Sequence, residues 1–117
     1  MQKGYFFIKM DICFKNIGDT LWVALIGELD HHSARGIGEK IDFEIMFRQP
    51  VEVCLDFDKL DFMDSSGLAV IMGRRRLCMR MGIDISVANL KGSIRKVLLM
   101  SGLQKYVKIK ENSYEIH

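Results

Sequence analysis

The sequence predicts an α/β sandwich, a mixed and mostly parallel sheet of about five strands with about three helices packed on it. Three observations carry that reading. Stretches that alternate like strands recur between stretches of helical period. The first two strand-like runs are separated only by a Gly-Asp turn, and strand-to-helix junctions carry Asp and Ser, the residues that cap helices. The chain of 117 residues is 49% hydrophobic, enough for a single core and one domain.

Taken in order, "DICFKN" and "LWVALIGEL" read as strands joined through "IGDT". The second is apolar on both faces, which suits an interior strand. "SARGIGEKIDFEIMF" sets Ala34, Ile37, Ile41 and Ile45 on one helical stripe. Gly36 and Gly38 weaken that helix by roughly 1 kcal/mol each relative to alanine. "VEVCLDF" alternates as a strand with Val51, Val53, Leu55 and Phe57 on one face. A helix is predicted from about Ser65 to Met81, closed by Gly82. "IDISVAN" returns to strand, "SIRKVLLMSG" to a helix capped by Ser93 and stopped by Gly102, and "KYVKIK" to a last short strand.

Composition narrows the function. A formal net charge of +2 is small for an electrostatic nucleic-acid binder. The N-terminal apolar patch is interrupted by Lys9 and Asp11 and fails as a signal peptide, and "LWVALI" is far short of a membrane span. Cys13, Cys54 and Cys78 are odd in number and lack a CxxC pair, which points to a reducing compartment and small buried hydrophobes. A soluble cytoplasmic protein is expected.

In open α/β sheets, sites gather where strands end and helices begin. Two such junctions stand out, "GELDHHS" and "FMDSSGL". Taken alone, Asp-Ser-Ser-Gly before an apolar run is first of all a helix cap. Gly67 in the opening turn adds something a cap does not need, room for another molecule to approach the backbone. A hydroxyl at a helix N-terminus also sits in a field that favours an attached phosphate. Phosphorylation there adds about −1.5 to −2 charge beside Asp64, and Asp30 belongs to the neighbouring junction.

Other chemistry is poorly supported. A GxSxG elbow is missing, and nothing fixes a histidine against Ser65. His31 and His32 are adjacent and are expected to point apart, with no third metal ligand at useful spacing. Arginines 74, 75, 76 and 80 fan around a helix and read as a solvated face, with Arg74 bordering a docking surface around Ser65. Met72, Met79 and Met81 read as core filler.

Taken together, "GELDHHSA" at 27–34, "LDFMDSSGLAVIMGR" at 60–74 and "IRKVLLMSGL" at 94–103 resemble the anti-sigma factor antagonists of the STAS domain family, the sporulation branch above all. The resemblance spans roughly residues 10–110. Residues 1–9 are then an N-terminal extension and 111–117 a short tail in which the family's C-terminal helix is shortened or absent. The resemblance implies that Ser65 is phosphorylated by the anti-sigma factor, itself an ATP-dependent serine kinase. It places Asp30, His31, Met63, Asp64, Ser66, Gly67, Leu68 and Arg74 at the partner surface.

By the same resemblance, the unphosphorylated form binds the ATP- or ADP-bound kinase and releases the sigma factor. A serine phosphatase reverses the modification. The chain is then a substrate and competitor and not an enzyme. It is expected to need no cofactor or metal, to touch neither nucleic acid nor membrane directly, and to be a monomer or weak dimer. Two alternatives stay open: the same module in a stress-response pathway, and a nucleotide sensor using the helix start at 65–67 without a Walker loop.

Overall fold

Strand β1 (Met10–Ile17) turns through Gly18 and Asp19 into β2 (Thr20–Leu29), and the two pair antiparallel. The chain then alternates through α1 (Ala34–Arg48), β3 (Glu52–Met63), α2 (Ser65–Met81), β4 (Asp84–Ala88), α3 (Gly92–Ser101) and β5 (Lys108–Lys110). These elements come from a computed structural model that describes residues 10–111. The expected extension at 1–9 and the tail from 112 onward lie outside the described residues.

The five strands lie in the order β1-β2-β3-β4-β5, and every pairing after the first is parallel. Because parallel crossovers are right-handed and the order advances in one direction, α1, α2 and α3 all fall on the same face of the sheet. Alternation then sorts the side chains. Leu21, Val23 and Leu25 of β2, Val53, Leu55 and Phe57 of β3, and Val87 of β4 are fully buried. They form one cluster with Ile37, Ile41 and Ile45 of α1, Val70, Ile71 and Cys78 of α2, and Ile94 and Leu98 of α3.

The other face of the sheet carries a hydrogen-bonded polar set. Trp22 Nε1 donates to Asp56 Oδ2 at 2.9 Å, and Asn89 Nδ2 donates to Asp56 Oδ1 at 2.8 Å. Ser86, with no exposed surface, donates to Glu52 at 2.7 Å, and Lys110 lies 3.3 Å from the same carboxylate. Each buried polar atom named here has a partner, which removes most of its desolvation cost.

Several elements depart from expectation. Strand β3 runs to Met63, well past Phe57, and Val51 lies outside it and is exposed. The added segment contains exposed Asp58, Lys59 and Asp61, so it shows no clean alternation. It is held by β2 through a register that shifts twice, between Ala24 and Ile26 and between Gly27 and Glu28. Helix α3 starts at Gly92 with Lys91 in the cap position, so Ser93 is already inside the helix.

Met72 and Met81 pack against the core as expected, whereas Met79 is 61% exposed. Cys54 and Cys78 are buried, and burial pushes both thiols up to about 11, but Cys13 is exposed on β1. The arginines do fan out. Arg74 turns toward α1, Arg75 donates to the Tyr106 carbonyl at 2.9 Å and lies over its ring, and Arg76 and Arg80 are exposed.

Phe57 is the largest fully buried side chain and sits at the centre of the sheet. Phe57→Ala is expected to cost about 3–5 kcal/mol. Denaturant unfolding should show a lower midpoint at unchanged slope.

Candidate functional site

The site forms where the neighbouring strands β2 and β3 end. Leu29 pairs with Met63 as the last rung of the parallel ladder, and one residue later the Asp64 N–H donates to the Leu29 carbonyl at 3.3 Å. Asp30 and Asp64 are therefore brought side by side, each the first residue beyond its strand. Gly27 helps to aim this end of β2. Its φ of +103° is open to glycine and strained for other residues, and it sits at one of the two register shifts. Such irregularities re-aim a strand next to a site.

Both aspartates accept backbone N–H groups just past their strands, but only Asp64 caps a helix. Asp64, extended at φ −98°, accepts from the Ser66 N–H at 2.8 Å and caps α2. Asp30 accepts from the backbone N–H groups of His32 and Ser33 at 3.0 and 3.1 Å, and from the Ser33 hydroxyl at 3.2 Å. The Ser33 N–H, foremost among these partners, holds the Asp30 carboxyl below its ordinary value. The turn at 31–33 places the His31 and His32 rings 4.4 Å apart in a tilted stack. The expectation that they point apart assumed strand or helix geometry, and a turn has neither.

Ser65 is the first residue of α2 and is exposed, while Ser66 is half-buried. Beneath them, Gly67 is buried against Met63 and Leu29, and a Cβ built there would run into the Met63 thioether and the end of Leu29. Met63, expected at the partner surface, is only 4% exposed and supports the helix start from below. Leu68 is half-buried against the core.

Arg74 is committed across the helices. Its Nε lies 2.8 Å from Asp42 Oδ1 on α1, an ion pair whose N–H is not aligned as a hydrogen bond. Burial pushes the Asp42 carboxyl up and the Arg74 guanidinium down, each opposed by the attraction of its partner. The guanidinium lies against Gly38, where a Cβ would strike it. Between α1 and α2 this leaves a groove of about 370 Å³ bordered by His31, Ala34, Ser66, Ala69, Val70 and Arg74.

Asp42 and Ser33 were not singled out in the sequence. The spacing of Asp30 and Ser33 is a cap signal that could have revealed Ser33. Nothing local connects Asp42 with Arg74. Among the described residues, no group of three or more His, Cys, Asp or Glu side chains could hold a metal ion, and no helix is long and apolar enough to cross a membrane.

The site is thus an exposed serine at the start of α2, next to its capping Asp64, with Asp30 at the end of the adjacent parallel strand. Residues 11–116 match the STAS domain, and the chain belongs to that family, among its anti-sigma factor antagonists. An anti-sigma F factor antagonist of Paenibacillus polymyxa is 40% identical over 93 residues, 80% of each chain. The unphosphorylated anti-sigma factor antagonist SpoIIAA superposes with a TM-score of 0.75 at 29% identity, covering 91% of this chain and 93% of that one. Its phosphorylated form, from Bacillus, gives 0.68 at 29% identity over 91% and 96%.

Two variants probe the geometry. Gly67→Ala gains about 1 kcal/mol of helix propensity and loses about 1–3 kcal/mol to overpacking against Met63 and Leu29. The expected outcome is a lower melting temperature. Asp30, held below its ordinary value, adds stability above about pH 4 that is lost as pH falls through its folded value. The melting-temperature gap between wild type and Asp30→Asn should therefore be widest near neutrality and close in acid.

Proposed function

We propose that this chain is a phosphorylation-switched antagonist of an anti-sigma factor that is also a serine kinase, with Ser65 as the phosphoryl acceptor. The observation that carries the reading is the exposure of Ser65 at the first position of α2, between two carboxylates already engaged by backbone N–H groups. The unphosphorylated surface, with Asp30, His31, Asp64, Ser66, Leu68 and Arg74 around the groove between α1 and α2, binds the nucleotide-loaded kinase. Binding frees the sigma factor. The chain works as substrate and competitor in the cytoplasm, and a serine phosphatase resets it.

The switch acts through charge. A phosphoserine at position 65 adds about −1.5 to −2 charge at neutral pH. The helix N-terminus favours an anion there. Asp64 already takes the Ser66 N–H, so the phosphate cannot use that donor without displacing a carboxylate. Much of the new charge therefore stays at the surface, next to Asp64 and Asp30, and repels a partner shaped for the unmodified face. Both the unphosphorylated and the phosphorylated SpoIIAA share this fold, which supports a switch that needs no refolding. The likeness to anti-sigma F factor antagonists favours a sporulation pathway.

Incubation with magnesium-ATP and a candidate anti-sigma kinase, followed by intact and peptide mass spectrometry, tests the proposal. One phosphoryl group is expected on wild type and on Ser66→Ala, and none on Ser65→Ala. Ser65→Asp should bind the kinase about tenfold more weakly than wild type, since like charges at an interface are costly. Modification at Ser66 alone would overturn Ser65 as the acceptor, and none with an active kinase would reduce Asp64–Gly67 to a helix cap.

A further inference from the structure

The solvent side of α1 carries a stripe that neither the core nor the switch site uses. Gly36, Lys40, Phe43 and Phe47 follow at spacings of four, three and four residues, the seam of a helix that pairs with another helix. By helical geometry this seam points away from the buried stripe of Ile37, Ile41 and Ile45. Phe43 and Phe47 are 62% and 76% exposed, and their rings stack with centroids 6.1 Å apart. Met46 beside them is also exposed. Grouped apolar side chains of this kind mark association surfaces.

Beside these knobs lies a gap. A hollow of about 460 Å³ is bordered by Phe14, Gly36, Glu39, Lys40, Phe43 and Glu44. A Cβ at Gly36 would meet nothing within 4 Å, and the residue sits inside a regular helix. Glycine there weakens α1 and relieves no contact among the described residues. Gly38 and Gly67 differ, since a side chain at either would strike Arg74 or Met63. Among the described residues none makes use of the small size of Gly36, which leaves room for a side chain from a second copy.

We propose that this face pairs with a second copy of the chain, α1 packed antiparallel on α1 about a twofold axis. Phe47 of each copy enters the hollow over Gly36 of the other, and Phe43 lies along the Lys40 stem. Knob and gap occur on the same helix, so the face complements itself, as a twofold interface requires. The charges agree. Lys40 and Glu44 share one flank of the seam, and the antiparallel register sets each beside its opposite in the other copy, twice by symmetry. A partner with a strongly acidic or basic stripe would find no matching field on this mixed flank. Glu44 is held in place by Arg48 at 2.7 Å, and Arg48 also lies over the Phe14 ring.

Sedimentation equilibrium of the full chain tests this. Wild type is expected to dimerise with a micromolar dissociation constant. Phe47→Ala and Gly36→Gln should each weaken the dimer by about tenfold or more. Gly36→Gln should also melt at the same or a higher temperature in dilute solution, which separates a blocked interface from a damaged fold. Lys40→Glu and Glu44→Lys should each weaken association, and the double exchange should restore it to within about threefold. A wild type that remains monomeric to about 1 mM, or a dimer indifferent to Phe47 and Gly36, overturns the proposal. A dimer that appears only after deletion of residues 1–9 assigns the face to that segment instead and overturns it equally.

Discussion

The last rung between β2 and β3, Leu29 against Met63, is the constraint on which the candidate site depends. It carries two chain ends out of the sheet side by side. From there, Asp64 starts α2 by capping the Ser66 N–H, while Asp30 holds the turn before α1 through the N–H groups of His32 and Ser33. Loosening that rung would uncouple the start of α2 from the turn before α1. The buried contacts of Gly67 with Met63 and Leu29 close it from the helix side. The register thus sets where Ser65 sits, and the glycine sets how closely α2 can sit on it.

The same economy holds for charge. Most ionic groups around α1 and α2 are already used within the molecule: Arg48 with Glu44, Arg74 with Asp42, Arg75 with the Tyr106 carbonyl. Surface ion pairs contribute little to stability, so their main effect here is to hold side chains still. The Arg74–Asp42 pair costs desolvation on both sides and links the two helices that flank the groove. A charge newly added at Ser65 therefore enters a neighbourhood whose nearest carboxylates are fixed in place.

Much of this was legible in the sequence because the helices and inner strands obey their periods. Ile37, Ile41 and Ile45, or Val53, Leu55 and Phe57, announce a face by spacing alone. The extension of β3 was hidden because Asp58, Lys59 and Asp61 obey neither period, and long-range pairing with β2 alone keeps them extended. The cap at Lys91 was missed because its backbone does the work and no side chain signals it. At the candidate site, the residue types were visible as capping patterns, but their adjacency follows from strand order. The partnership of Asp42 with Arg74 joins residues on different helices and leaves no local trace. Met79 and Cys13 show that residue type alone does not decide burial.

Trp22, the sole tryptophan, occupies the sheet face opposite the helices, bonded through its indole N–H to Asp56. It lies seven residues before Leu29, about 23 Å along the strand from the candidate site. Its emission therefore reports whether β2 and β3 remain zipped and is insulated from events at the start of α2. Fluorescence of the native chain can follow unfolding, while a probe placed near Ser65 follows docking, and the two signals remain independent in a single sample.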